Sequence, residues 1–474
     1  METKELVIVG GGLSGILLAL KLSNSEKFKN QSVTLVEEQP TLGGRLFFAS
    51  SRSFSGKTRG QIQEELLQDA SSNKFLSGFG FELFDLQTKE SLFRHIQNSL
   101  TEEEKSRLEK YLSEFESEEQ NLEKHKCYFV KKELTSSLSL LSGSSEILTK
   151  KEADYLKSIM TAEFDATNPL FSKGWQELSK QAREGLSQIF EVVVGQKWES
   201  IPFVDCCAHL KRFFLEMTNN YFLPFERKVA IEIFLEKILT ERGVEIRNLC
   251  KLVRVEQMKK EFFSLTLSDE VEPHKNTLQA KHLVLALPLA KCAGILPKEI
   301  YAAEQSKFVS KVQPLSLVVY ELSQFLNFKS TSVTLTLNAY DKFIFPVERV
   351  QGFLTSDGRM LFYTELDFED SLQSPAVREA VSRLKRAAAR LLNEDVLKEI
   401  KKGFRIPQTQ FSERVILLPV AQSVPYFTKV NFELKQVAMG TPRLFCCGDS
   451  FFSLAAEPWK RIIHSVHDIA HLLI

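Results

Sequence analysis

Three glycines near the start of the chain have the spacing of a diphosphate-binding turn. Gly10, Gly12 and Gly15 form a Gly-x-Gly-x-x-Gly motif between a predicted strand and a predicted helix. The first glycine allows a tight turn, the second lets a diphosphate approach the backbone, and the third lets the helix pack on the strand. The helix N-terminus, with Leu13 and Ser14, adds N–H groups and a partial positive charge. The motif predicts a dinucleotide site, and a purely structural turn is the alternative.

An acidic residue follows the next predicted strand, as recognition of a ribose requires. Glu37 comes directly after the apolar run 33–36 and lies close to the ~20-residue offset from Gly15 that is typical of an acid bound to an adenosine ribose. The adjacent Glu38 is interpreted as a surface charge. An acid at this place disfavours a ribose 2′-phosphate and hence NADP. Up to this point the motifs fit FAD and NAD equally well.

The loop after Glu37 favours FAD over NAD. Gly43, Gly44 and Arg45 follow the acid at six, seven and eight residues. Two glycines let the loop fold over a diphosphate, and an arginine adds a charge-assisted contact. At this offset the triplet resembles the second signature of the flavin amine oxidase and protoporphyrinogen oxidase superfamily. The resemblance implies bound FAD.

Three later segments are similar to further parts of that superfamily. The stretch 249–255 resembles the strand whose backbone contacts the FAD adenine, with Leu252 at the contact position. The stretch 280–288 resembles the strand that leaves the FAD domain. Gly448 and Asp449 resemble the C-terminal Gly-Asp turn, whose aspartate holds the ribityl chain in the family. The helix after this turn is then expected to direct its positive end at the flavin.

The chain departs from the superfamily pattern on the flavin and substrate side. The stretch 461–466 stands where the C-terminal helix usually carries small residues. The lysine that amine oxidases use near the flavin would fall near Leu315 or Ser316, and no aromatic cage is evident. Tyr426 and Phe427 precede the last FAD segment and are the candidates for the pocket wall. No catalytic residue is identified from the sequence.

The spacing of these segments predicts the domain organisation. We expect an α/β fold, in which a Rossmann-like FAD-binding domain of the glutathione reductase type carries an inserted α+β substrate domain. The FAD-binding domain is predicted at 1–85, 220–292 and 438–474, with a helical insertion at 86–219 and a mixed-sheet substrate domain at 293–437. Intervals of this length are too long to be loops. Thr101 and Thr149 each precede a glutamate by three residues, which predicts helix starts there.

Composition and charge disfavour several other classes of function. Lys plus Arg and Asp plus Glu number 61 each, and 43 % of the residues are apolar, so no net field favours nucleic acid or an anionic membrane. No apolar run approaches the ~18 residues of a membrane span. The seven cysteines include no Cys-x-x-Cys pair, so no metal site is expected. With no cleavable leader evident, we expect reduced thiols in the cytoplasm.

The resemblance implies a FAD-dependent oxidoreductase that oxidises a C–N or C–C bond of a small organic substrate by hydride transfer to non-covalently bound flavin. The electron acceptor would be O2 or another molecule. Because the flavin performs the chemistry, no compact catalytic constellation is required. A desaturase or isomerase of the same fold is the first alternative, favoured by the missing lysine. A flavin-binding partner or assembly factor without turnover is the second, and an NAD-linked dehydrogenase explains the loop after Glu37 poorly.

Overall fold

The computed structural model of the chain divides into two compact units, each assembled from segments that are distant in sequence. Unit 1 comprises Met1–Glu119, Tyr221–Val312 and Phe427–Ile474, and unit 2 comprises Gln120–Asn220 and Gln313–Tyr426. The residues that the structure describes are 2–29, 32–39, 41–44, 61, 92–113, 127–130, 133–144, 147–162, 174–186, 203, 206, 207, 211, 225–258, 262–269, 277–296, 313–323, 335–336, 351–354, 359–393, 412–423, 443–448 and 458–474.

Unit 1 is built on a seven-stranded sheet. Its strands are β1 Glu2–Val9, β2 Val33–Val36, β5 Glu245–Arg247, β6 Cys250–Met258, β7 Phe262–Asp269, β8 Thr277–Leu285 and β14 Leu444–Cys446. Strands β5, β2, β1 and β8 run parallel in that order, and antiparallel β7 and β6 continue the sheet. Strand β14 pairs in parallel with the C-terminal half of β8. The predicted α/β fold class with a Rossmann-like parallel sheet is confirmed.

Ten helices are labelled in chain order among the described residues. They are α1 Leu13–Ser23, α2 Leu92–Asn98, α3 Glu102–Ser113, α4 Ser137–Ser142, α5 Lys150–Thr161, α6 Phe225–Glu241, α7 Leu289–Ile295, α8 Phe368–Ser371, α9 Ser374–Asn393 and α10 Pro458–Leu473. Helix α1 packs against α6, α10 and the sheet. Every residue of α1 except Lys21 is buried, which explains why its sequence is apolar on all sides.

Helices α2 and α3 belong to unit 1. Thr101 and Glu104 form the predicted capping box, with hydrogen bonds of 2.7 and 3.3 Å. Helix α3 packs on α6 and helix α2 on α10. The boundary that the sequence placed at residue 86 therefore lies inside unit 1, because these two charged helices pack on the elements around the sheet.

Unit 2 contains two sheets in the described residues. Strands β9 Gln313–Ser323, β11 Gln351–Leu354, β12 Arg359–Asp367 and β13 Ser412–Ser423 form an antiparallel sheet in the order β11-β12-β9-β13, and helices α8 and α9 pack on it. Strands β3 Cys127–Val130, β4 Glu133–Ser136 and β10 Leu335–Thr336 form the second sheet. The pair β3–β4 interrupts the insertion that the sequence predicted to be helical, because two four-residue strands give little periodic signal.

Helix α5 begins at the second predicted capping box. Thr149 accepts from the backbone N–H of Glu152, and Glu152 accepts from that of Thr149. The Glu152 carboxylate also accepts from Ser179 N at 2.7 Å. Burial opposes ionisation of Glu152, but these hydrogen bonds from Ser179 and Thr149 lower its pKa to about 2. A single carboxylate therefore joins α5 to the segment at 174–186.

Two further features hold for the part of the chain that the structure describes. No helix there combines the length and the apolar character needed to cross a bilayer. No group of three or more His, Cys, Asp or Glu residues there is arranged to hold a metal ion.

Candidate dinucleotide-binding site

The turn between β1 and α1 has the close packing that its glycines predict. Gly10 has a φ of 107°, and its N–H donates to Val36 O at 2.8 Å. A Cβ atom on Gly15 would lie 1.9 Å from Gly10 O. A side chain at Gly15 would therefore push α1 away from the strand. These two glycines set the geometry of the turn and do not by themselves need a ligand.

Gly12, by contrast, has room for a side chain among the described residues at the N-terminus of α1. Its φ of −68° suits any residue, and the nearest described atom to an added Cβ would be Gly44 Cα at 3.9 Å. Gly12, the N-cap residue, has no side chain with which to cap α1, and the first turn of α1 carries no acid. The first backbone N–H groups of a helix favour an anion at this end. The uncapped terminus beside a glycine cradle fits the diphosphate of a dinucleotide.

The loop after β2 folds back onto this turn. Gly43 N donates to Gly11 O at 2.7 Å, and Gly12 and Gly43 form a parallel bridge. Gly43 and Gly44 both have positive φ, at 109° and 58°. The predicted glycine pair thus lies directly against the glycine turn.

Glu37 is a buried acid at the carboxyl end of β2. Its side chain is 6 % exposed. Oε2 accepts from Gly11 N at 2.5 Å and Oε1 from Gln39 N at 2.8 Å. Burial raises the pKa of Glu37 to about 7, while the hydrogen bonds from Gln39 and Gly11 oppose the rise. Glu38 instead forms an ion pair with Lys291 of α7 and is partly buried.

The backbone around Glu37 is held by the turn between β5 and β6. Glu37 N donates to Arg247 O, and Cys250 N donates to Glu37 O, both at 2.8 Å. Leu252 lies two residues further along β6 and is 4 % exposed. The start of β6 therefore runs beside the proposed ribose acid. The side chain of Leu252 belongs to the core, so any contact that it makes with an adenine would come from its backbone.

The C-terminal segment reaches the same turn. Gly448 has a φ of 144°, and a Cβ on it would lie 3.7 Å from Ser14 Oγ. Gly448 N donates to Ser465 Oγ at 3.1 Å, and Ser465 Oγ donates to Ile462 O at 2.9 Å. Ser465 is fully buried on α10. The sequence named this residue only within the departing stretch 461–466, so its link to the Gly-Asp turn was missed.

Four predicted site residues, Arg45, Asp449, Tyr426 and Phe427, lie outside the described residues, and their roles stay predictions. The sequence placed the lysine of amine oxidases near Leu315 or Ser316, and the structure shows the surroundings of Ser316. Its side chain is fully buried and donates to Ser371 Oγ at 2.8 Å. This position therefore serves the packing of α8 on the sheet of unit 2.

The described residues fit a dinucleotide. An uncapped helix terminus, a glycine turn covered by a glycine loop, and a buried carboxylate at a strand end converge from segments far apart in the chain. The donors suit a diphosphate, and the carboxylate suits ribose hydroxyls. This arrangement can bind and orient a nucleotide cofactor.

Comparisons with known proteins agree with this geometry. Residues 8–60 match the family described as NAD(P)-binding Rossmann-like domain, and no curated protein sequence matches the chain. An oxidoreductase from Methanosarcina mazei is similar in structure, with 13 % identity and a TM-score of 0.59 over 98 % of this chain and 100 % of that one.

Two enzymes with assigned names share the fold. Cyclohexylamine oxidase from Brevibacterium oxydans has 13 % identity and a TM-score of 0.54, with 99 % of each chain covered. The CLA-producing fatty acid isomerase from P. acnes has 10 % identity and a TM-score of 0.56, also with 99 % of each chain covered. The Rossmann-like segment and the fold shared with these structures agree with the α/β fold that the motifs predicted.

Proposed function

We propose that the chain is a FAD-dependent oxidoreductase that oxidises a C–N or C–C bond of a small organic substrate. The observation that carries this proposal is the buried carboxylate of Glu37 beside the two glycine segments. This combination suits a dinucleotide with an unmodified ribose. The spacing of Gly43, Gly44 and Arg45 after the acid favours FAD over NAD. The oxidase fold of structurally similar proteins supports a redox reaction.

Different residues of the site are proposed to bind different parts of FAD. Glu37 would accept from the ribose hydroxyls, and Gly12 with the N-terminus of α1 would receive the diphosphate. Asp449 is proposed to hold the ribityl chain. When bound, the flavin supplies the hydride acceptor, and the protein positions the substrate and sets the electrostatics around the ring. We further propose that Tyr426 and Phe427 contribute to the substrate pocket.

The FAD is proposed to be non-covalent because burial disfavours ionisation of the described cysteines near the site. Cys446 and Cys447 are buried on and after β14. Burial raises the pKa of Cys447 to about 12, against a lowering hydrogen bond to Ser465. Burial also raises the pKa of Cys446. A thiol is a poor nucleophile unless it ionises, so neither side chain is suited to attach a flavin.

The test begins with the cofactor. Purified full-length protein should show a flavin spectrum, and denaturation followed by filtration should release FAD to the filtrate. Candidate amines should then bleach the bound flavin under anaerobic conditions, and O2 or another acceptor should restore its colour. NAD in the filtrate, or a flavin retained on the polypeptide, would contradict the cofactor proposal. Flavin that no amine or other reductant substrate bleaches would contradict the oxidase proposal.

A redox-neutral isomerase is the second candidate. The fatty acid isomerase from P. acnes shares the fold at a TM-score of 0.56, and Ser316 occupies the place where an amine oxidase lysine was sought. An isomerase of this kind should convert its substrate without net consumption of O2. Incubation of the protein with unsaturated fatty acids, with the flavin either oxidised or prereduced, separates this candidate from an oxidase.

A further inference from the structure

The two glycines of the loop after β2 make room for different neighbours. A Cβ on Gly44 would meet Gly12 Cα at 3.0 Å, so Gly44 allows the loop to lie on the glycine turn. A Cβ on Gly43 would instead lie 2.0 Å from Oε1, 2.5 Å from Cδ and 2.8 Å from Oε2 of Glu232. The space beside Gly43 is thus filled by one carboxylate of this chain. The motif alone attributes both glycines to the diphosphate.

Glu232 comes from an element far away in sequence. It lies on α6, is 8 % exposed, and is brought to the loop because α6 packs on α1. Burial of a carboxylate is unfavourable unless its surroundings compensate for the lost hydration. A carboxylate is also unsuited to touch a diphosphate, because like charges repel. The close approach of its carboxylate to Gly43 is therefore the feature through which it can affect the site.

We propose that Glu232 is a positioning residue of the dinucleotide site, whose carboxylate fixes the Gly43–Gly44 loop against the glycine turn. Gly43 is then required because the carboxylate occupies the place of its side chain, in addition to its φ of 109°. Gly44 is required for the approach to Gly12. This inference rests on the proposed binding of FAD, and it adds a residue that neither motif contains.

The test measures the coupling between Glu232 and Gly43 in the full-length chain. The Kd for FAD is measured by the quenching of flavin fluorescence on apoprotein, for Glu232→Ala, Gly43→Ala and the double variant. We expect Glu232→Ala to raise the Kd about tenfold and Gly43→Ala to raise it further. Residues in contact couple by amounts that correspond to about 2- to 150-fold in binding. The Kd of the double variant should therefore be at least about twofold lower than the product of the two single effects predicts.

Matched variants distinguish positioning from general damage. Glu232→Gln keeps the shape of the side chain and should bind FAD nearly as the wild type does. Glu236 lies one turn further along α6 and is 9 % exposed, so Glu236→Ala controls for the loss of a buried acid from this helix. Gly44→Ala should not be rescued by Glu232→Ala, because its Cβ would meet Gly12. Additive effects of Gly43→Ala and Glu232→Ala would overturn the inference.

A second measurement keeps the two proposals separate. Thermal unfolding of the same apoproteins reports the contact without any cofactor, and truncation of Glu232 should partly restore the melting temperature that Gly43→Ala lowers. Should Glu232→Ala fail to fold, Glu232→Asp withdraws the carboxylate by one methylene group and replaces it in both measurements. Wild-type protein that binds no FAD would contradict the proposed function, and the coupling in unfolding would still decide the role of Glu232.

Discussion

Glu37 is buried, although its proposed role as the ribose acid requires a charge. Two backbone N–H groups, from Gly11 and Gln39, compensate in part for the hydration that its carboxylate loses. They leave the pKa at about 7, well above the ordinary value of 4.5. The charge of Lys291 lowers the pKa of Glu37, but Lys291 pairs directly with Glu38. In the absence of a ligand the acid is thus partly protonated at neutral pH.

The raised pKa makes the stability of the cofactor-free protein depend on pH. The folded state holds the proton of Glu37 up to about pH 7, whereas the unfolded chain releases it near 4.5. The stabilising contribution is therefore complete below about pH 4.5 and is lost as the pH rises through 7. We expect the melting temperature of the wild-type apoprotein, measured relative to that of Glu37→Gln, to fall between about pH 5 and pH 8, because the amide of the variant does not titrate. An equal difference at both pH values would contradict this role of the buried charge.

The same group should make FAD binding depend on pH in the opposite direction. Ribose hydroxyls donate to the ionised carboxylate, so binding favours the deprotonated form of Glu37. The affinity of the wild type for FAD should rise between about pH 6 and 8 and then level off. Glu37→Ala should weaken binding by ~1–3 kcal/mol and remove the dependence. Glu38→Gln is the control, and titrations by flavin fluorescence across this range provide the measurement.

At the scale of elements, the strand–turn–helix unit was the part that the sequence predicted best. Periodicity and glycine spacing are local properties, so β1, β2 and α1 could be placed from the chain alone. The same holds for α6, whose helical pattern leads into β5. Contacts between these elements could not be derived in this way. Glu232 and Ser465 carry no motif, and only the packing of α6 and α10 brings them to the glycine loops.

Substitutions of Gly12 and Gly15 should affect FAD binding and thermal stability differently. An alanine at Gly12 has space and an ordinary φ in the protein, so Gly12→Ala should fold with a melting temperature close to that of the wild type. It should bind FAD far more weakly, because the methyl group fills the place proposed for the diphosphate. Gly15→Ala would place its Cβ 1.9 Å from Gly10 O and should lower the melting temperature itself. Tight FAD binding by Gly12→Ala would contradict the proposed cradle.

Ser465 links helix α10 to the Gly-Asp turn by one buried hydrogen bond. Ser465→Ala leaves Gly448 N without that acceptor, which is expected to lower stability by ~1–3 kcal/mol. It should also weaken FAD binding, since Gly448 adjoins Ser14 at the start of α1. Ser158→Ala is the control, because the hydroxyl of Ser158 donates to Tyr155 O in its own helix. Chemical denaturation and FAD titration of both variants test the link.

At the scale of the whole molecule, the elements of the candidate dinucleotide site come from the beginning, middle and end of the chain. The sequence predicted this discontinuity from motifs at three places. It did not predict that α2 and α3 pack within unit 1, because their many charged residues indicate helices that are exposed to solvent. Nor could it predict the strand pair β3–β4, which is too short for a periodic signal. The strands of these distant segments pair in one sheet, and a few polar side chains also bridge the segments.

Arg242 is the clearest of these bridges, and it supplies the last prediction. Its guanidinium donates to Leu20 O at 2.7 Å, to Ser99 O at 3.3 Å and to Glu104 at 2.5 Å, so it joins α1, the end of α2 and α3. The side chains of Arg242 and Glu104 are 11 % and 13 % exposed. Removal of one partner from a buried pair leaves the other charge uncompensated, so Arg242→Ala should lower the free energy of unfolding by roughly 3 kcal/mol.

A second ion pair between α3 and the C-terminal end of α6 provides an internal control for Arg242. Arg107 contacts Glu241 through two hydrogen bonds of 2.9 Å, but the two side chains are 38 % and 41 % exposed. Water and salt screen such a pair, so Arg107→Ala should have a much smaller effect on unfolding despite its bidentate geometry. Denaturant unfolding of both variants at low and high salt gives the comparison. Equal losses would show that surface charges hold α3 as firmly as the buried pair does, and Arg242 would then not be the bridge that fixes this helix.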